Sequence, residues 1–257
     1  MDATEQIEVL RRERSQTGIF LDFDGTMAPI IDDPEAVEIV PGGPPVLAAL
    51  SRLYPVVAFI SGRGAADLYA RVGIEGPRYF GLYGAEEMTP GGLIQPPEAA
   101  EWRRIISSLS EQATQLIRAH ALTGCEAENK DLALSLHYRN SGQIEAPESL
   151  ASWAMQAAVT HGFRLGTGRM VLELKPPKVS KAEAFLRLAG EYGVQNALIA
   201  GDDSADVEMM QQSAGAVPGV LLRVGVVSAE APAGMLENSE YQVASPQEVV
   251  ELLERLL

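Results

Sequence analysis

The sequence has almost no cysteine and relatively few basic residues. Cys125 is the only cysteine among 257 residues, which excludes an intrachain disulfide and a metal site built from several thiolates. Lysine and arginine number 20 against 35 aspartates and glutamates, so the formal net charge is −15. Nucleic-acid binding requires clustered Lys and Arg to neutralise phosphates, and this acidic balance therefore argues against a nucleic-acid partner.

Long apolar runs are also lacking. No stretch reaches the roughly 18 apolar residues that span a bilayer, and residues 1–16 are polar, without the apolar centre of a signal peptide. We therefore expect a cytoplasmic protein with no membrane partner, acting as a monomer. A chain of this length can bury a substantial core, in one large domain or two moderate ones.

Two aspartates end a short apolar segment near the amino terminus. Residues 17–23 are mostly apolar, as in a strand buried on both faces of a parallel sheet, and Asp22 and Asp24 precede Gly25 and Thr26. Charged carboxylates are costly to bury, so they should sit at the carboxyl end of the strand, where open α/β sheets bind ligands. Two converging carboxylates repel unless a cation lies between them, and Mg²⁺ prefers oxygen ligands. Plain turn chemistry is the alternative for this motif alone.

Two later segments offer groups that suit a phosphate. Ser61 and Gly62 follow a second apolar run, residues 54–60, and present a hydroxyl and backbone N–H groups at a strand end. Lys181 follows Ser180 at the start of a helix that opens with a capping box. The helix dipole and the ammonium group both favour an anion at this position.

A further set of carboxylates follows a third apolar strand. Residues 196–200 run into Gly201, and the aspartates Asp202, Asp203 and Asp206 come directly after it. This strand end therefore supplies further candidate metal ligands.

The order of strand and helix signals predicts an α/β fold with an insertion. Strand and helix patterns alternate up to Pro97, where the rhythm gives way to a long helical stretch, residues 98–121, and they resume near Pro176. We predict a Rossmann-like, doubly wound parallel sheet core over residues 1–97 and 176–257. The insertion, residues 98–175, is predicted to be an α+β domain.

The insertion contains two strands that alternate between apolar and polar positions. Residues 132–139 and 169–175 each place leucines on one face and polar side chains on the other. If both strands belong to one sheet, its open face carries His137, Arg139, Glu173 and Lys175. A solvated sheet face is the alternative interpretation. The loop with Glu128 and Lys130 adds a second charged pair, for which a plain exposed salt bridge is the alternative.

The motifs at residues 22–26, Ser61, Lys181 and residues 201–206, in this order, resemble those of the haloacid dehalogenase superfamily of phosphohydrolases. More closely, most of the chain resembles the trehalose-6-phosphate phosphatase family. The segments that carry the closer resemblance are residues 22–30, 33–34, 61–63, 84–86, 128–130, 137–139, 172–176 and 201–203. The resemblance implies a haloacid dehalogenase-like core in which the insertion is a type C2 cap domain.

The resemblance also implies a mechanism. Asp22 would attack the phosphorus of a sugar monophosphate to form an aspartyl-phosphate, and Asp24 would serve as general acid and then general base. Mg²⁺ would be held by the carboxylates of Asp22 and Asp202 and the backbone carbonyl of Asp24, with Asp203 and Asp206 orienting metal-bound water or Lys181. The phosphoryl oxygens would be held by Thr26, Ser61, Gly62 and Lys181.

The same resemblance implies that the cap recognises the substrate and closes over the sugar. The Glu-x-Lys pair of the family corresponds to Glu128 and Lys130, and the later glutamate to Glu173, all three implied to hydrogen-bond sugar hydroxyls. The remaining substrate-binding candidates are Glu86, His137, Arg139 and Lys175.

The sequence departs from the family pattern at four positions. Tyr83 stands where the family commonly has His, Ala182 where it has Gly, and Ala205 and Val207 where it has Thr and Glu. None of these changes removes a group that performs the chemistry. They do weaken the inference from the family to the identity of the substrate.

The resemblance predicts hydrolysis of trehalose 6-phosphate to trehalose and phosphate. One alternative is a phosphatase of another sugar phosphate, of the sucrose 6-phosphate or mannosyl-3-phosphoglycerate type. A non-catalytic phosphosugar-binding module is the other. The presence of Asp22, Asp24, Lys181 and Asp202 argues against the module, because binding alone gains nothing from a nucleophile.

Overall fold

The computed structural model describes residues 1–31, 33–143, 145–168, 170–229 and 231–257, so Arg169 of the predicted strand 169–175 lies outside the described residues. Within them the chain forms two compact units. The first contains Met1–Ile94 and Ser180–Leu257, and the second contains Gln95–Val179. The sequence predicts that a cap domain begins at residue 98 and ends at residue 175, and these two limits stay a prediction.

The helices and strands are numbered in chain order. The described helices are α1 (Ala3–Arg12), α2 (Gly43–Leu53), α3 (Ala65–Val72), α4 (Ala99–Ala119), α5 (Ala146–His161), α6 (Lys181–Glu191), α7 (Ser204–Gln212), α8 (Met235–Asn238) and α9 (Pro246–Glu254). The described strands are β1 (Thr17–Leu21), β2 (Val56–Ile60), β3 (Arg78–Gly81), β4 (Glu86–Thr89), β5 (Gly92–Ile94), β6 (Glu126–Asn129), β7 (Leu134–His137), β8 (Arg164–Gly168), β9 (Val171–Lys175), β10 (Asn196–Gly201), β11 (Leu221–Val226) and β12 (Tyr241–Val243). Short 3-10 turns lie at Arg14–Gln16, Pro34–Ala36 and Leu82–Gly84.

The first unit is built on an eight-stranded sheet in the order β12-β11-β10-β1-β2-β3-β4-β5. Strands β12 to β3 in this order are parallel, and β4 and β5 complete the sheet as an antiparallel hairpin. The central strands β1, β2 and β10 are buried along their whole length. This architecture confirms the predicted α/β fold with a parallel sheet core.

Helices cover both faces of this sheet because alternate residues of each strand point to opposite sides. Ile19 and Leu21 of β1 pack in one apolar core with side chains of α1, α2, α3 and α9. Phe20 points to the other core, which contains residues of α6 and α7. There its ring meets Phe185 edge-on, with the ring centroids 4.8 Å apart. The two cores make the sheet doubly wound.

The register of the central strands brings three strand ends together. Leu21, the last residue of β1, pairs with Ala200 of β10 on one side and with Phe59 of β2 on the other. The backbone N–H of Asp22 continues this pairing by donating to the carbonyl of Ala200 at 3.0 Å. Residues that follow β1, β2 and β10 therefore lie at the same edge of the sheet.

The second unit is a four-stranded antiparallel sheet in the order β6-β7-β9-β8, and it packs against α4 and α5. Leucines of β7 and β9 form its core with Ile106 and Leu109 of α4. Ser135 of β7 pairs with Glu173 of β9, so the polar positions of both strands share the opposite face. This arrangement matches the predicted α+β insertion.

Within the described part of the chain, we find no helix with the length and apolar character that a membrane span requires.

Candidate active site

Lys181 joins the acidic residues of two separate motifs. Its Nζ lies 2.9 Å from Oδ1 of Asp22 and 2.8 Å from Oδ1 of Asp206, with Oδ1 of Asp203 at 3.6 Å. Lys181 is the first residue of α6, and the Ser180 hydroxyl caps this helix by accepting the backbone N–H of Glu183. The helix start therefore delivers an ammonium group to the strand ends of β1 and β10.

Burial and neighbouring charges shift the pKa values of this cluster in opposite directions. Burial raises the pKa of Asp22 and of Asp206 well above the ordinary value of an aspartate, although Lys181 acts in the other direction. Burial alone would lower the pKa of Lys181, but the carboxylates of Asp203, Asp206 and Asp22 outweigh it and raise that pKa. One ammonium group thus stands among several carboxylates, so negative charge is in excess.

The excess charge is concentrated where a divalent cation fits. Oxygens of Asp22, Asp202 and Asp206 lie within 4.8 Å of one another, and all three residues are buried. Three carboxylates this close repel one another in a poorly solvated site, and a hard cation with oxygen ligands relieves the repulsion. The donor set therefore fits Mg²⁺.

Asp206 also holds the loop that carries Asp202. Its Oδ2 accepts the backbone N–H groups of Asp202 at 3.0 Å and Asp203 at 3.1 Å, while Oδ1 accepts from Lys181. Asp203 in turn caps α7 by accepting the N–H of Asp206. The oxygens of Asp206 are thus engaged by donors of the chain, which supports the predicted orienting role.

Gly25 allows the turn after β1 to approach Asp202. Its φ is +77°, and a Cβ at this position would lie 2.2 Å from Oδ2 of Asp202. Any side chain would displace that carboxylate and would also strain the backbone. Gly25 is therefore required for two reasons: its backbone conformation makes the turn after β1, and its lack of a side chain lets that turn pack against Asp202.

Thr26 presents a buried hydroxyl that lacks a hydrogen-bond partner among the described residues. The residue is fully buried. An unsatisfied buried hydroxyl costs roughly 1–3 kcal/mol, and a ligand oxygen can recover that cost. This orphaned group fits the predicted contact with a phosphoryl oxygen.

Ser61 lies buried in the turn that follows β2. Its backbone N–H donates to the carbonyl of Phe80 at 3.0 Å, and its Oγ accepts the backbone N–H of Arg63 at 3.2 Å. A hydroxyl that accepts one hydrogen bond can still donate its own proton to an anion. The position of Ser61 is therefore compatible with the prediction that its hydroxyl and the N–H of Gly62 bind a phosphate.

Arg63 is a site residue that the sequence analysis missed as a functional group. Its Nε lies 2.6 Å from Oδ2 of Asp24, and its Nη2 lies 2.7 Å from Oδ1 of the same carboxylate. The only available signal was its place directly after Ser61 and Gly62 at a strand end. No local pattern could predict its partner, which is 39 residues away in sequence.

Tyr83 lies against the turn that carries Ser61. Its backbone N–H donates to the carbonyl of Ser61, and its hydroxyl would be 2.7 Å from a Cβ placed on Gly62. Both Leu82 and Tyr83 have positive φ angles, 48° and 62°, which are unfavourable for residues with side chains. Such strain persists only where surrounding contacts enforce it, so Tyr83 is held at the edge of this turn.

Glu86 is buried and supports the same region. Its Oε1 accepts the backbone N–H of Ala65, the first residue of α3, at 2.8 Å. A carboxylate at a helix amino terminus is favourable because it satisfies an unpaired N–H and faces the positive end of the dipole. Glu86 thus holds the start of α3, and its substrate-binding role stays a prediction.

The second unit contains a compact polar cluster. Oε2 of Glu128 lies 2.8 Å from Nε2 of His137 and 3.6 Å from Nζ of Lys130. Nζ of Lys130 is also 3.8 Å from Oε1 of Glu173, which accepts from the Ser135 hydroxyl. The hydrogen bond with His137 is the main reason that the pKa of Glu128 is lowered. Four predicted residues, Glu128, Lys130, His137 and Glu173, are therefore brought together.

The other two candidates in this unit lie at opposite ends of the strand pair. Lys175 is the buried last residue of β9, which runs antiparallel to β7. Arg139 follows the other end of that pair, beyond His137. The strand register therefore separates Arg139 from Lys175 along the sheet, and Arg139 lies in the turn that follows β7 rather than on the predicted strand face.

Comparisons with known proteins agree with these observations. A family model described as Trehalose-phosphatase matches residues 20–231. A trehalose-phosphate phosphatase from Mycobacterium leprae (strain TN) is 37% identical over 162 residues, which cover 63% of this chain and 37% of the relative. The aligned region is thus well under half the length of that relative.

Solved structures share the fold over nearly the whole chain. The C-terminal domain of the C. albicans trehalose-6-phosphate phosphatase has a TM-score of 0.77 at 21% identity, covering 99% of this chain and 96% of that domain. A haloacid dehalogenase-like hydrolase from Bacteroides thetaiotaomicron has a TM-score of 0.62 at 15% identity, covering 95% of this chain and all of the other. These likenesses confirm the predicted haloacid dehalogenase-like fold. Since the family model matches well over half of its residues, the chain belongs to the trehalose-phosphatase family.

Proposed function

We propose that the chain is a Mg²⁺-dependent phosphatase that hydrolyses trehalose 6-phosphate to trehalose and phosphate through an aspartyl-phosphate. The observation that carries this proposal is the buried contact of Lys181 with both Asp22 and Asp206. It brings two buried carboxylates and an ammonium group together at one strand edge, which supports the proposed catalytic roles. We further propose that the protein acts in the cytoplasm as a monomer on a small-molecule sugar phosphate.

Asp22 is the proposed nucleophile. In its ionised form, which Lys181 favours, a carboxylate needs no activating base to attack phosphorus. Lys181 holds Oδ1 at 2.9 Å, which leaves Oδ2 to form the new bond. The side chain of Asp22 is only 5% exposed, so little water competes for the attacking oxygen.

Asp24 is the proposed acid and base. In the first step it gives its proton to the sugar oxygen as the bond from that oxygen to phosphorus breaks. In the second step the Asp24 carboxylate takes a proton from the water that attacks the aspartyl-phosphate and releases phosphate and Asp22. The side chain of Asp24 is 35% exposed, against 5% for Asp22, which suits a group that meets both sugar and water.

We propose one set of hydrogen-bond donors for the phosphoryl oxygens. We assign them the Thr26 hydroxyl, the Ser61 hydroxyl, the Gly62 N–H and the Lys181 ammonium. The buried unpartnered hydroxyl of Thr26 supports this assignment most directly. Fixed donors around a phosphoryl group stabilise the charge that spreads over its oxygens during transfer.

We propose that the ion is held by Asp22 and Asp202 with the backbone carbonyl of Asp24, and that Asp203 and Asp206 orient its surroundings. The proximity of the carboxylates of Asp22, Asp202 and Asp206 supports a site of this kind. Mg²⁺ bound there supplies positive charge that offsets the charge of the phosphoryl group.

The polar cluster of the second unit is the proposed sugar site. Carboxylates and an ammonium group on one sheet face can accept from and donate to sugar hydroxyls, and Glu128, Lys130 and Glu173 are assigned this role. The contacts among them and with His137 support it, because they hold the groups in place before a ligand binds. Glu86, Arg139 and Lys175 remain proposed contacts.

The test is release of phosphate from a panel of sugar phosphates by the purified chain, with Mg²⁺ and with a chelator. We expect turnover that is specific for trehalose 6-phosphate and needs the ion. The panel includes sucrose 6-phosphate and mannosyl-3-phosphoglycerate, because Tyr83 replaces the histidine common in the family. Preference for one of these would replace the substrate assignment.

The variant Asp22→Asn separates an enzyme from a binding module. It should abolish turnover while sugar-phosphate binding, followed by calorimetry, persists. A wild-type chain that binds sugar phosphates but hydrolyses none of them would overturn the proposed activity in favour of the module.

A further inference from the structure

We propose that Arg63 is a positioning residue, which fixes the carboxylate of Asp24 for proton transfer to the departing oxygen of the substrate. The inference rests on the phosphatase function proposed above. It concerns a residue that does not itself touch the phosphoryl group in the proposed mechanism and acts through Asp24.

The contact has the geometry of a planar fork. Two N–H groups of the Arg63 guanidinium meet the two oxygens of Asp24, at 2.6 Å and 2.7 Å. A bidentate pair fixes the plane of the carboxylate as well as its distance, which a single hydrogen bond or a lysine cannot do. Each carboxylate oxygen keeps a further lone-pair site at which it can carry the transferred proton.

Arg63 is itself held on every side. Its Nη1 donates to Oδ2 of Asp67 and to the carbonyl of Pro34, both at 3.2 Å. Its guanidinium carbon lies 5.8 Å from the ring centroid of Phe23, the residue between the two motif aspartates. All three guanidinium nitrogens therefore have acceptors, and the side chain is only 15% exposed.

The backbone around Arg63 is equally constrained. Its N–H donates to the hydroxyl of Ser61, and its carbonyl accepts the N–H of Leu82 at 2.8 Å. Two residues later, the start of α3 is held by the carboxylate of Glu86. The guanidinium of Arg63 thus belongs to a rigid segment. The carboxylate of Asp24 is therefore oriented before the substrate binds, and binding does not have to order it.

This role predicts dependence on the leaving group. A sugar alkoxide is a poor leaving group and needs a proton as the bond to phosphorus breaks, whereas p-nitrophenolate leaves without one. A positioning residue for the acid should therefore matter for the first substrate and hardly for the second. A residue that only stabilises the fold would affect both equally.

The experiment measures release of the alcohol in the first turnover, at saturating substrate, with trehalose 6-phosphate and with p-nitrophenyl phosphate. For Arg63→Met we expect the rate with the sugar phosphate to fall by about 10- to 100-fold, the cost of a misplaced catalytic group. The rate with p-nitrophenyl phosphate should stay within about threefold. Arg63→Lys keeps the charge and lacks the fork, so it should show the same selective loss.

Arg71→Met is the matched control. Arg71 lies in α3, one helical turn after Asp67, and binds that carboxylate as Arg63 does, but its other acceptors are Glu35 and the carbonyl of Val37. We expect Arg71→Met to leave both first-turnover rates within about threefold, because Arg63 keeps its own hydrogen bonds to Asp24, Asp67 and the carbonyl of Pro34.

The outcomes are distinct. Equal losses with both substrates, no loss with either, restoration by Arg63→Lys, or the same selective loss in Arg71→Met would each overturn the positioning role. A wild-type chain that releases alcohol from neither substrate would instead overturn the proposed phosphatase function, and the inference about Arg63 with it.

Discussion

Lys181 and Asp206 form an ion pair that solvent does not reach. Nζ and Oδ1 are 2.8 Å apart, and the side chains are 1% and 0% exposed. Buried charges are expensive to remove from water, so each depends on the other to remain ionised. The pair links the first residue of α6 to α7, and through Lys181 it holds the proposed nucleophile Asp22.

Replacing Asp206 should destabilise the protein strongly. Asp206→Ala removes a partner of Lys181 and leaves the N–H groups of Asp202 and Asp203 without their acceptor. We expect the free energy of unfolding to fall by about 3–5 kcal/mol, as for other broken buried ion pairs. Chemical denaturation in the presence of a chelator measures this value.

Asp203→Ala is the comparison for that experiment. Asp203 is 33% exposed and its Oδ1 is 3.6 Å from Lys181, so its main loss is the cap of α7, about 1 kcal/mol. Equal costs for the two variants would show that the buried pair contributes little.

Mg²⁺ should stabilise the folded chain. Burial already raises the pKa of Asp22 and Asp206, which means that the ionised carboxylates are unfavourable without a cation. An ion that binds only the folded state raises its stability by about 2.7 kcal/mol at a hundred times its dissociation constant. Thermal unfolding with and without MgCl₂ measures the shift.

The same thermal shift should disappear in Asp202→Asn. Asp202 belongs to the group of three close carboxylates, and an amide oxygen is a weaker ligand for a hard cation. A shift of the same size in this variant would mean that the ion binds elsewhere.

Gly25→Ala should abolish activity with a modest loss of stability. The added Cβ would stand 2.2 Å from Oδ2 of Asp202 and so displace a proposed metal ligand. Gly73→Ala is the control, because Gly73 also has a positive φ, +68°, but no atom of the described residues other than its chain neighbours lies within 4 Å of the added Cβ. Both variants should lose about 1–2 kcal/mol of stability through backbone strain, and only Gly25→Ala should lose turnover. Retained activity in Gly25→Ala would argue against the placement of Asp202.

The stability contributed by Glu128 should depend on pH. Its pKa is lowered in the folded state from an ordinary 4.5, chiefly by the hydrogen bond with His137 and by the nearby Lys130. A lowered carboxylate pKa contributes stability above the ordinary value, and that contribution is lost as pH falls through the folded pKa. The gap in melting temperature between wild type and Glu128→Gln should therefore be present at neutral pH and close below about pH 4.5.

His137→Gln provides the check on this prediction. In that background the Glu128→Gln substitution should produce a smaller gap at neutral pH, because the main stabilising partner of Glu128 is gone. A gap that is independent of both pH and His137 would contradict the assigned pair.

The sequence predicted the strands that carry the site because their burial leaves a local pattern. The apolar runs at residues 17–23, 54–60 and 196–200 correspond to β1, β2 and β10, with ends shifted by at most two residues. A strand buried on both faces is apolar at successive positions, and its polar continuation marks where burial ends. The positions of Asp22, Ser61 and Asp202 at strand ends follow from this pattern.

The pairing of side chains could not be predicted in the same way. Arg63 is 39 residues from Asp24, and Glu86 is 21 residues from Ala65, whose N–H it accepts. Such contacts depend on strand order, register and helix packing, which no local periodicity encodes. The sequence therefore predicted Glu86 as a substrate contact, but it did not predict the hydrogen bond by which Glu86 caps α3 or the role of Arg63.

The sequence by itself determined the parallel α/β core, the inserted α+β unit and the strand ends at which acidic, hydroxyl and amino groups occur. These follow from short-range patterns of burial and capping. Only the tertiary structure decided that Lys181 bridges Asp22 and Asp206 and that Asp24 is clamped by Arg63. The physical reason is that charge pairing acts over a few ångströms in space, and the folded register alone brings these distant residues within that range.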